Sequence, residues 1–285
     1  MKIIRTVEEM SNISGQCLQN NQTIGFVPTM GYLHEGHLTL MRRAKEENNI
    51  VVASVFVNPL QFGPNEDYDA YPRDLQRDER LAKSVGVDYL FCPTVQEMYP
   101  DEMTVEIKVK KRVDVLCGRK RVGHFDGVAT VLVKLFSIIR PHHVYFGLKD
   151  AQQVAVVDGL IKDLNLPITL RPVETVREED GLAKSSRNVN LTEAERQEAP
   201  FLYQSLVEAK ERIFAGERDP DVIIAGIKQF LQNKVNGKID YVEIYSYPEL
   251  KPQTRLTGKI IIAIAVQFSK ARLIDNIILE LKGGM

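Results

Sequence analysis

The sequence predicts an α/β protein: a Rossmann-like parallel sheet with helices on both faces, followed by a smaller C-terminal α+β domain. Three observations carry that prediction. Over the first 175 or so residues, short and nearly continuous apolar runs alternate with helical stretches, the pattern of parallel strands covered on both faces. After residue 177 two charged amphipathic stretches precede three strand-like runs, the order of an α+β unit. The length of 285 residues also suits two domains at about 150 residues each.

The elements follow in order. Residues 23–27 (TIGFV) read as a strand, 36–48 as a helix and 50–57 (IVVASVFV) as a second strand. Residues 72–85 read as a helix with Leu75, Ala82 and Val85 on one face, while Arg73, Asp74, Arg77 and Glu79 stay solvated. A short strand at 88–92, a helix at 128–139, a strand at 144–146, a helix at 151–164 and a strand at 168–173 complete the first part. Beyond it, 192–215 and 220–234 read as helices, the first opened by a capping box of Thr192 and Glu195. Strands at 241–245, 259–268 and 273–281 close the chain. The domains are expected at 1–177 and 178–285, with a lid or hinge at 178–190.

Composition bounds the function. Hydrophobic residues at 44% and charged residues at 26% lie near globular averages and argue against disorder. The 37 Lys+Arg and 38 Asp+Glu give a net charge of -1, not the large positive excess of a protein that coats nucleic acid or anionic membrane. A total can still hide a local cluster. The longest apolar run, 260–266, falls far short of the roughly 20 residues of a membrane helix. The opening MKIIRTVEEM meets acidic residues before a signal-peptide core can form. Cys17, Cys92 and Cys117 are far apart and lack metal-ligand spacing, which fits reduced thiols in the cytoplasm.

Five segments carry chemistry. Residues 28–37 (PTMGYLHEGH) leave the first buried strand and enter a helix, where unpaired N–H groups suit phosphate. His34 and His37, three apart, point the same way from a first helical turn and can donate to one phosphate group. The alternatives are two surface histidines or half of a zinc site, although no third ligand lies near in sequence. Residues 54–62 (SVFVNPLQF) place Asn58 and Gln61 among apolar neighbours, either to fix a hydroxyl or carboxylate or as an Asn-Pro turn. Residues 118–128 (GRKRVGHFDGV) offer three cations, Arg119 to Arg121, either for polyphosphate or as a solvated loop. Residues 146–153 (FGLKDAQQ) place Lys149 as a point charge for phosphate; Asp150 either caps the helix or holds ribose or Mg²⁺, and Gln153 sits one turn further on. Residues 181–188 (GLAKSSRN) form a basic Ser-rich loop that is either a linker or a clamp on phosphates.

Strand, glycine, HxGH and helix resemble the signature of the class I tRNA-synthetase-like nucleotidyltransferases, and the 181–188 loop resembles their second phosphate loop, written KMSKS. Together the five segments, in order and spacing, resemble the pantoate–β-alanine ligase family over essentially the whole chain, from about Leu191 onward mainly in pattern. Val122 stands where the family has proline and Lys184 where a hydrophobic residue is common.

The resemblance implies that pantoate attacks the α-phosphorus of ATP, releasing pyrophosphate, and that β-alanine then attacks the acyl adenylate, giving pantothenate and AMP. Such chemistry needs positioning and charge neutralisation more than a covalent nucleophile. It assigns His34 and His37 to the ATP phosphates, with His37 foremost at the reacting phosphorus, and Lys149, Ser185, Ser186 and Arg187 to the rest of the phosphate clamp. Met30, Gly31, Tyr32, Leu33, Glu35 and Gly36, with Gly147, Leu148, Asp150, Val176 and Lys184, would complete the nucleotide site, while Asn58, Gln61 and Gln153 seat pantoate and β-alanine. The 1–177 part would then bind nucleotide and pantoate. Mg²⁺ is expected as a phosphate counterion, near Asp150, without fixed protein ligands. A homodimer is implied by analogy, with 259–268 or 50–57 as candidate apolar surfaces. Two rival readings are an HxGH-type transferase acting on a phosphate acceptor and a non-catalytic nucleotide sensor.

Overall fold

In the computed structural model, which describes residues 1–64, 66 and 68–281, the chain packs into two units. One unit takes residues Met1–Val113, Cys117–Leu148 and Val156–Glu174; the other takes Asp114–Leu116, Lys149–Ala155 and the chain from Thr175 onward.

The first unit is built on six parallel strands, β1 (Lys2–Ile4), β2 (Ile24–Thr29), β3 (Ile50–Val55), β4 (Tyr89–Phe91), β5 (His143–Gly147) and β6 (Thr169–Val173), in the order β1-β4-β3-β2-β5-β6. Side chains alternate across the sheet. Val27, Val51, Ala53 and Tyr145 face helices α2 (Glu35–Glu47) and α3 (Leu75–Ser84), which contribute Leu38, Met41, Ala44 and Ala82 to one core. On the opposite face Phe26 meets Phe136 of α5 (His124–Ile139) edge-on, at 6.4 Å between centroids. Each fully buried Val, Leu, Ile or Phe contributes about 1.5–3 kcal/mol, so both faces are held by burial. The strand order reverses between β2 and β5, and open α/β sheets bind ligands outside the carboxyl ends of strands at such a point.

The predicted fold class is the observed one, with local corrections. Strand β1 and helix α1 (Val7–Gln19) precede the first predicted strand, and a one-turn helix, α4 (Val95–Met98), follows β4. Helix α5 starts at His124, four residues earlier than expected. Helix α6 (Ala151–Asp163) matches its prediction within a residue.

The second unit carries an antiparallel sheet, β7 (Lys238–Ser246), β8 (Gly258–Gln267) and β9 (Arg272–Leu281), in that order. The single helix expected at 192–215 is two: α7 (Glu193–Glu198) and α8 (Pro200–Phe214). Pro200 lacks the N–H that would continue the first helix and is well placed as the first residue of the second. With α9 (Pro220–Lys234), α8 covers one sheet face: Leu206, Ile213, Ile227 and Leu231 pack on Ile260, Ile262 and Ile264. Residues 260–266 are at most 4% exposed and Val51 to Ala53 at most 1%, so the two segments proposed as dimer surfaces are core instead. They are apolar because each lies inside its own sheet.

The Thr192–Glu195 capping box is present as read. Glu195 also accepts the Ser269 N–H at 2.7 Å, and these backbone donors pull its carboxyl down to about 2. A depressed acid stabilises the fold above its unfolded value of 4.5 and loses that contribution as pH falls through about 2. Wild-type protein should therefore unfold at higher denaturant than Glu195→Ala at neutral pH, with the gap closing in that acid window; a gap independent of pH would contradict the assignment.

Candidate active site

Strand β2 delivers the first segment. At its end Thr29 Oγ1 donates to the Ser54 carbonyl at 2.6 Å and accepts the Gly31 N–H at 3.1 Å, so the chain turns sharply beside β3. Gly31 has φ +87°, and a Cβ there would stand 2.8 Å from Val55 Cγ1 and 2.9 Å from Asp78 Oδ2. Conformation and close approach both demand glycine.

Asp78 is the residue that sequence reasoning missed. It is 1% exposed on α3, where Oδ2 accepts the Tyr32 N–H at 2.8 Å and Oδ1 the Leu33 N–H at 2.7 Å. Burial raises its pKa above the ordinary aspartate value, opposed by those two backbone donors and by Arg77. Arg77, expected in solvent, donates to the Leu33 carbonyl at 2.7 Å, with its guanidinium 5.0 Å from the Tyr32 ring centroid. Adjacent residues of α3 thus grip both backbone groups of Leu33. The signal was present: Asp78 lies on the stripe of Leu75, Ala82 and Val85, and a lone carboxylate there needs buried donors.

The grip leads into α2, capped by both histidines. His34 Nδ1 accepts the Gly36 N–H at 3.1 Å, and His37 Nδ1 accepts the His34 N–H at 3.3 Å. The ring centroids are 4.1 Å apart. With each Nδ1 acting as acceptor, the proton of a neutral ring sits on Nε2. The backbone therefore fixes both imidazoles as paired Nε2–H donors at a helix N-terminus, where the dipole also favours an anion. Glu35 on the same turn is engaged with Arg42 at 2.5 Å.

The second segment lies in the same unit. Asn58, 1% exposed, donates Nδ2–H to Gln61 Oε1 at 3.2 Å and to the Gly127 carbonyl at 3.1 Å. Its Oδ1 accepts from the Tyr99 hydroxyl at 2.9 Å and the Leu60 N–H at 3.3 Å. Both Nδ2 protons and both Oδ1 lone pairs are thereby used, so Asn58 orients Gln61. Gln61 Nε2 lies 3.1 Å from the Met30 sulfur, which brings these two predicted residues together.

From the third segment, Arg121 forks onto Glu66 at 2.7 and 2.5 Å, and this holds the Glu66 carboxyl below its usual range. Arg121 also reaches His124 Nε2 at 2.9 Å, while His124 Nδ1 lies 2.8 Å from the Gln61 carbonyl. A carbonyl only accepts, so Nδ1 carries the proton and Nε2 receives the Arg121 N–H. Arg121 is thus committed to bracing the Gln61 backbone; Arg119 and Lys120 are exposed. Gly147 and Leu148 sit half-buried at the carboxyl end of β5.

The remaining predicted residues belong to the second unit. Lys149 and Asp150 close a 3₁₀ turn that runs directly into α6, with Lys149 Nζ 3.4 Å from Asp150 Oδ2. Gln153 is half-buried on the first turn of α6. Residues 176–184 form a narrow hairpin: the Lys184 N–H donates to the Val176 carbonyl at 2.9 Å and the Glu178 N–H to the Leu182 carbonyl at 2.8 Å. Lys184 Nζ pairs with Glu178 at 2.8 Å, so its charge is balanced within the hairpin. Ser185 caps the following turn by accepting the Arg187 N–H, and Ser186 and Arg187 are half-buried in it.

Comparison with known proteins agrees over the full length. Residues 2–278 match the family model described as pantoate-beta-alanine ligase. The chain is 61% identical over 281 residues to a pantothenate synthetase of Geobacillus sp. strain WCH70, covering 99% of this chain and 100% of that protein. It is 60% identical over 282 residues to one from Bacillus thuringiensis strain Al Hakam, with the same coverage. Among solved structures, a pantothenate synthetase from Thermus thermophilus superposes with TM-score 0.91 at 44% identity, covering 97% of this chain and 99% of that one. A pantoate-beta-alanine ligase from Francisella tularensis, complexed with beta-gamma ATP and beta-alanine, gives TM-score 0.78 at 35% identity and covers 97% of each chain.

Proposed function

This chain belongs to the pantoate–β-alanine ligase family and forms pantothenate; we propose that it does so in two half-reactions driven by ATP. Pantoate first attacks the α-phosphorus of ATP, releasing pyrophosphate and leaving pantoyl adenylate. The β-alanine amine then attacks the acyl carbon, AMP leaves, and an amide remains. Activation comes first because a free carboxylate is a poor electrophile. The ligase activity sets aside the phosphate-acceptor transferase and the nucleotide sensor.

The observation that carries the reading is the pair of backbone-tethered imidazoles, His34 and His37, presenting Nε2–H donors at the start of α2. Donors fixed in advance stabilise charge as it develops on the phosphorus without reorganising. Lys149, Ser185, Ser186 and Arg187 are proposed to neutralise the other phosphates, and Met30 to His37, Gly147 to Asp150, Val176 and Lys184 to line the nucleotide site. Gln61 and Gln153 are proposed to seat pantoate and β-alanine, with Asn58 setting the Gln61 amide. The ATP and beta-alanine bound to the Francisella tularensis ligase support this substrate set.

Mg²⁺ is proposed to arrive with the ATP phosphates, with Asp150 as the acidic group beside Lys149. The donor set fits that role better than a cage: among the described residues no group of three or more His, Cys, Asp or Glu side chains could hold a metal, and Mg²⁺ commonly keeps phosphate and water ligands. Work in the cytoplasm as a homodimer, and movement of residues 178–190 on ATP binding, belong to the same proposal. Among the described residues no helix is long and apolar enough to cross a membrane.

The order of steps has a direct test. Pyrophosphate should appear with pantoate and ATP alone, and labelled pyrophosphate should exchange into ATP before β-alanine is added. Absence of any exchange without β-alanine would sink the two-step scheme.

A further inference from the structure

Strand β9 carries two adjacent polar residues within an otherwise largely apolar sheet: Asp275, 3% exposed, and Asn276, 8% exposed. Successive strand residues face opposite sides of a sheet. On the side of α8, Asp275 takes the Arg177 guanidinium on both oxygens, at 2.7 and 3.0 Å, while Arg177 stacks 3.5 Å from the centroid of Tyr203. Arg177 also donates to the Gly181 carbonyl at 3.1 Å, so it braces the hairpin that presents Ser185, Ser186 and Arg187. On the side of α6, Asn276 Nδ2 donates to the Lys149 carbonyl at 2.9 Å. The Asn276 N–H donates to Asp275 Oδ1 at 2.7 Å, joining the two grips through one dipeptide.

We propose that Asp275 and Asn276 are positioning residues that set the two phosphate-binding segments of this unit, the 181–187 loop through Arg177 and Lys149 through its carbonyl. The inference rests on the assignment of Lys149 and Arg187 to the ATP phosphates. A buried polar pair costs desolvation unless its geometry is fully used. Here every oxygen of Asp275 is used on a segment that carries a proposed phosphate ligand, although the helix-facing side of this sheet is otherwise apolar.

Two double-mutant cycles test it, each read as kcat/KM for ATP and as KM for pantoate. Asn276→Leu keeps the volume, adds no charge and removes the donor; it should lower kcat/KM for ATP roughly tenfold, the scale of one lost hydrogen bond. KM for pantoate should hold. In a Lys149→Ala background the same substitution should have little further effect, since Asn276 acts through Lys149. Asp275→Asn should behave likewise against Arg187→Ala. If Asp275→Asn fails to fold, Arg177→Lys, which keeps the charge and loses the fork, takes its place. Additive losses in both cycles, or a lower Tm with unchanged ATP kinetics, would make the pair merely structural and overturn the proposal. Full activity of Lys149→Ala and Arg187→Ala themselves would instead overturn the phosphate assignment on which it rests.

Discussion

His37→Ala should lower kcat by roughly 10²–10³, the scale for losing one preorganised donor, while KM for ATP changes far less. The geometry explains the asymmetry. His37 Nδ1 is occupied by the His34 N–H, so its Nε2 proton is held in place before substrate arrives. A donor that strengthens as charge builds in the transition state raises kcat, whereas one that binds ATP equally in both states changes KM alone. A variant with normal kcat and a raised KM would make His37 an ordinary binding residue. The alanine variant also removes the acceptor for the His34 N–H, so His37→Asn, which can keep that capping acceptor, separates the two losses: it should restore stability without restoring kcat.

Asp78→Ala should destabilise the protein by about 2–6 kcal/mol, from two buried N–H groups left unpaired at about 1–3 kcal/mol each, and should abolish most activity by releasing the histidine loop. Asp78→Asn keeps one acceptor and should fall between alanine and wild type. The pH dependence has a defined sign. Burial raises the folded pKa of Asp78 above 3.8, so the folded state holds that proton more tightly than the unfolded chain. Its contribution to stability is greatest below the unfolded value and declines as pH rises through the folded one. Wild type should therefore lead Asp78→Asn by more in acid than at neutral pH. Denaturant titrations at the two pH values measure this; the opposite trend would mean that the backbone donors outweigh burial.

Much of the fold could be read because burial wrote it into the sequence. β2, β3 and β8 are apolar runs buried on both faces, and that pattern needs no tertiary knowledge. Helix α1 was illegible for the opposite reason: its buried positions are Met10, Ser14 and Cys17, two of them weakly apolar, so the stripe has little contrast. β1 has three residues, too few to show alternation. The break between α7 and α8 was spelled by Pro200 and overridden by helical character on both sides.

The site divides in the same way. The histidines, Asn58, Gln61, Lys149 and the Ser-rich loop stand in recognisable strings. Their supports do not, because Asp78, Arg77 and Arg177 take their meaning from partners that are distant in sequence or hidden in backbone groups. Asn58 is the converse: a residue visible in a motif, whose hydrogen bonds to Gln61, the Gly127 carbonyl, the Leu60 N–H and the Tyr99 hydroxyl could not be read from the string.

Gly36, the glycine of the HxGH string, has a second reason to be there. A Cβ at this position would stand 2.9 Å from His34 Cε1 and 3.0 Å from its Nδ1. The glycine thus makes room for the capped imidazole, whatever it also does for a ligand. A side chain at 36 would force the His34 ring to shift from the position in which it caps the helix. Gly36→Ala should therefore push the His34 ring off its cap and misplace its Nε2, even though residue 36 itself carries no chemistry.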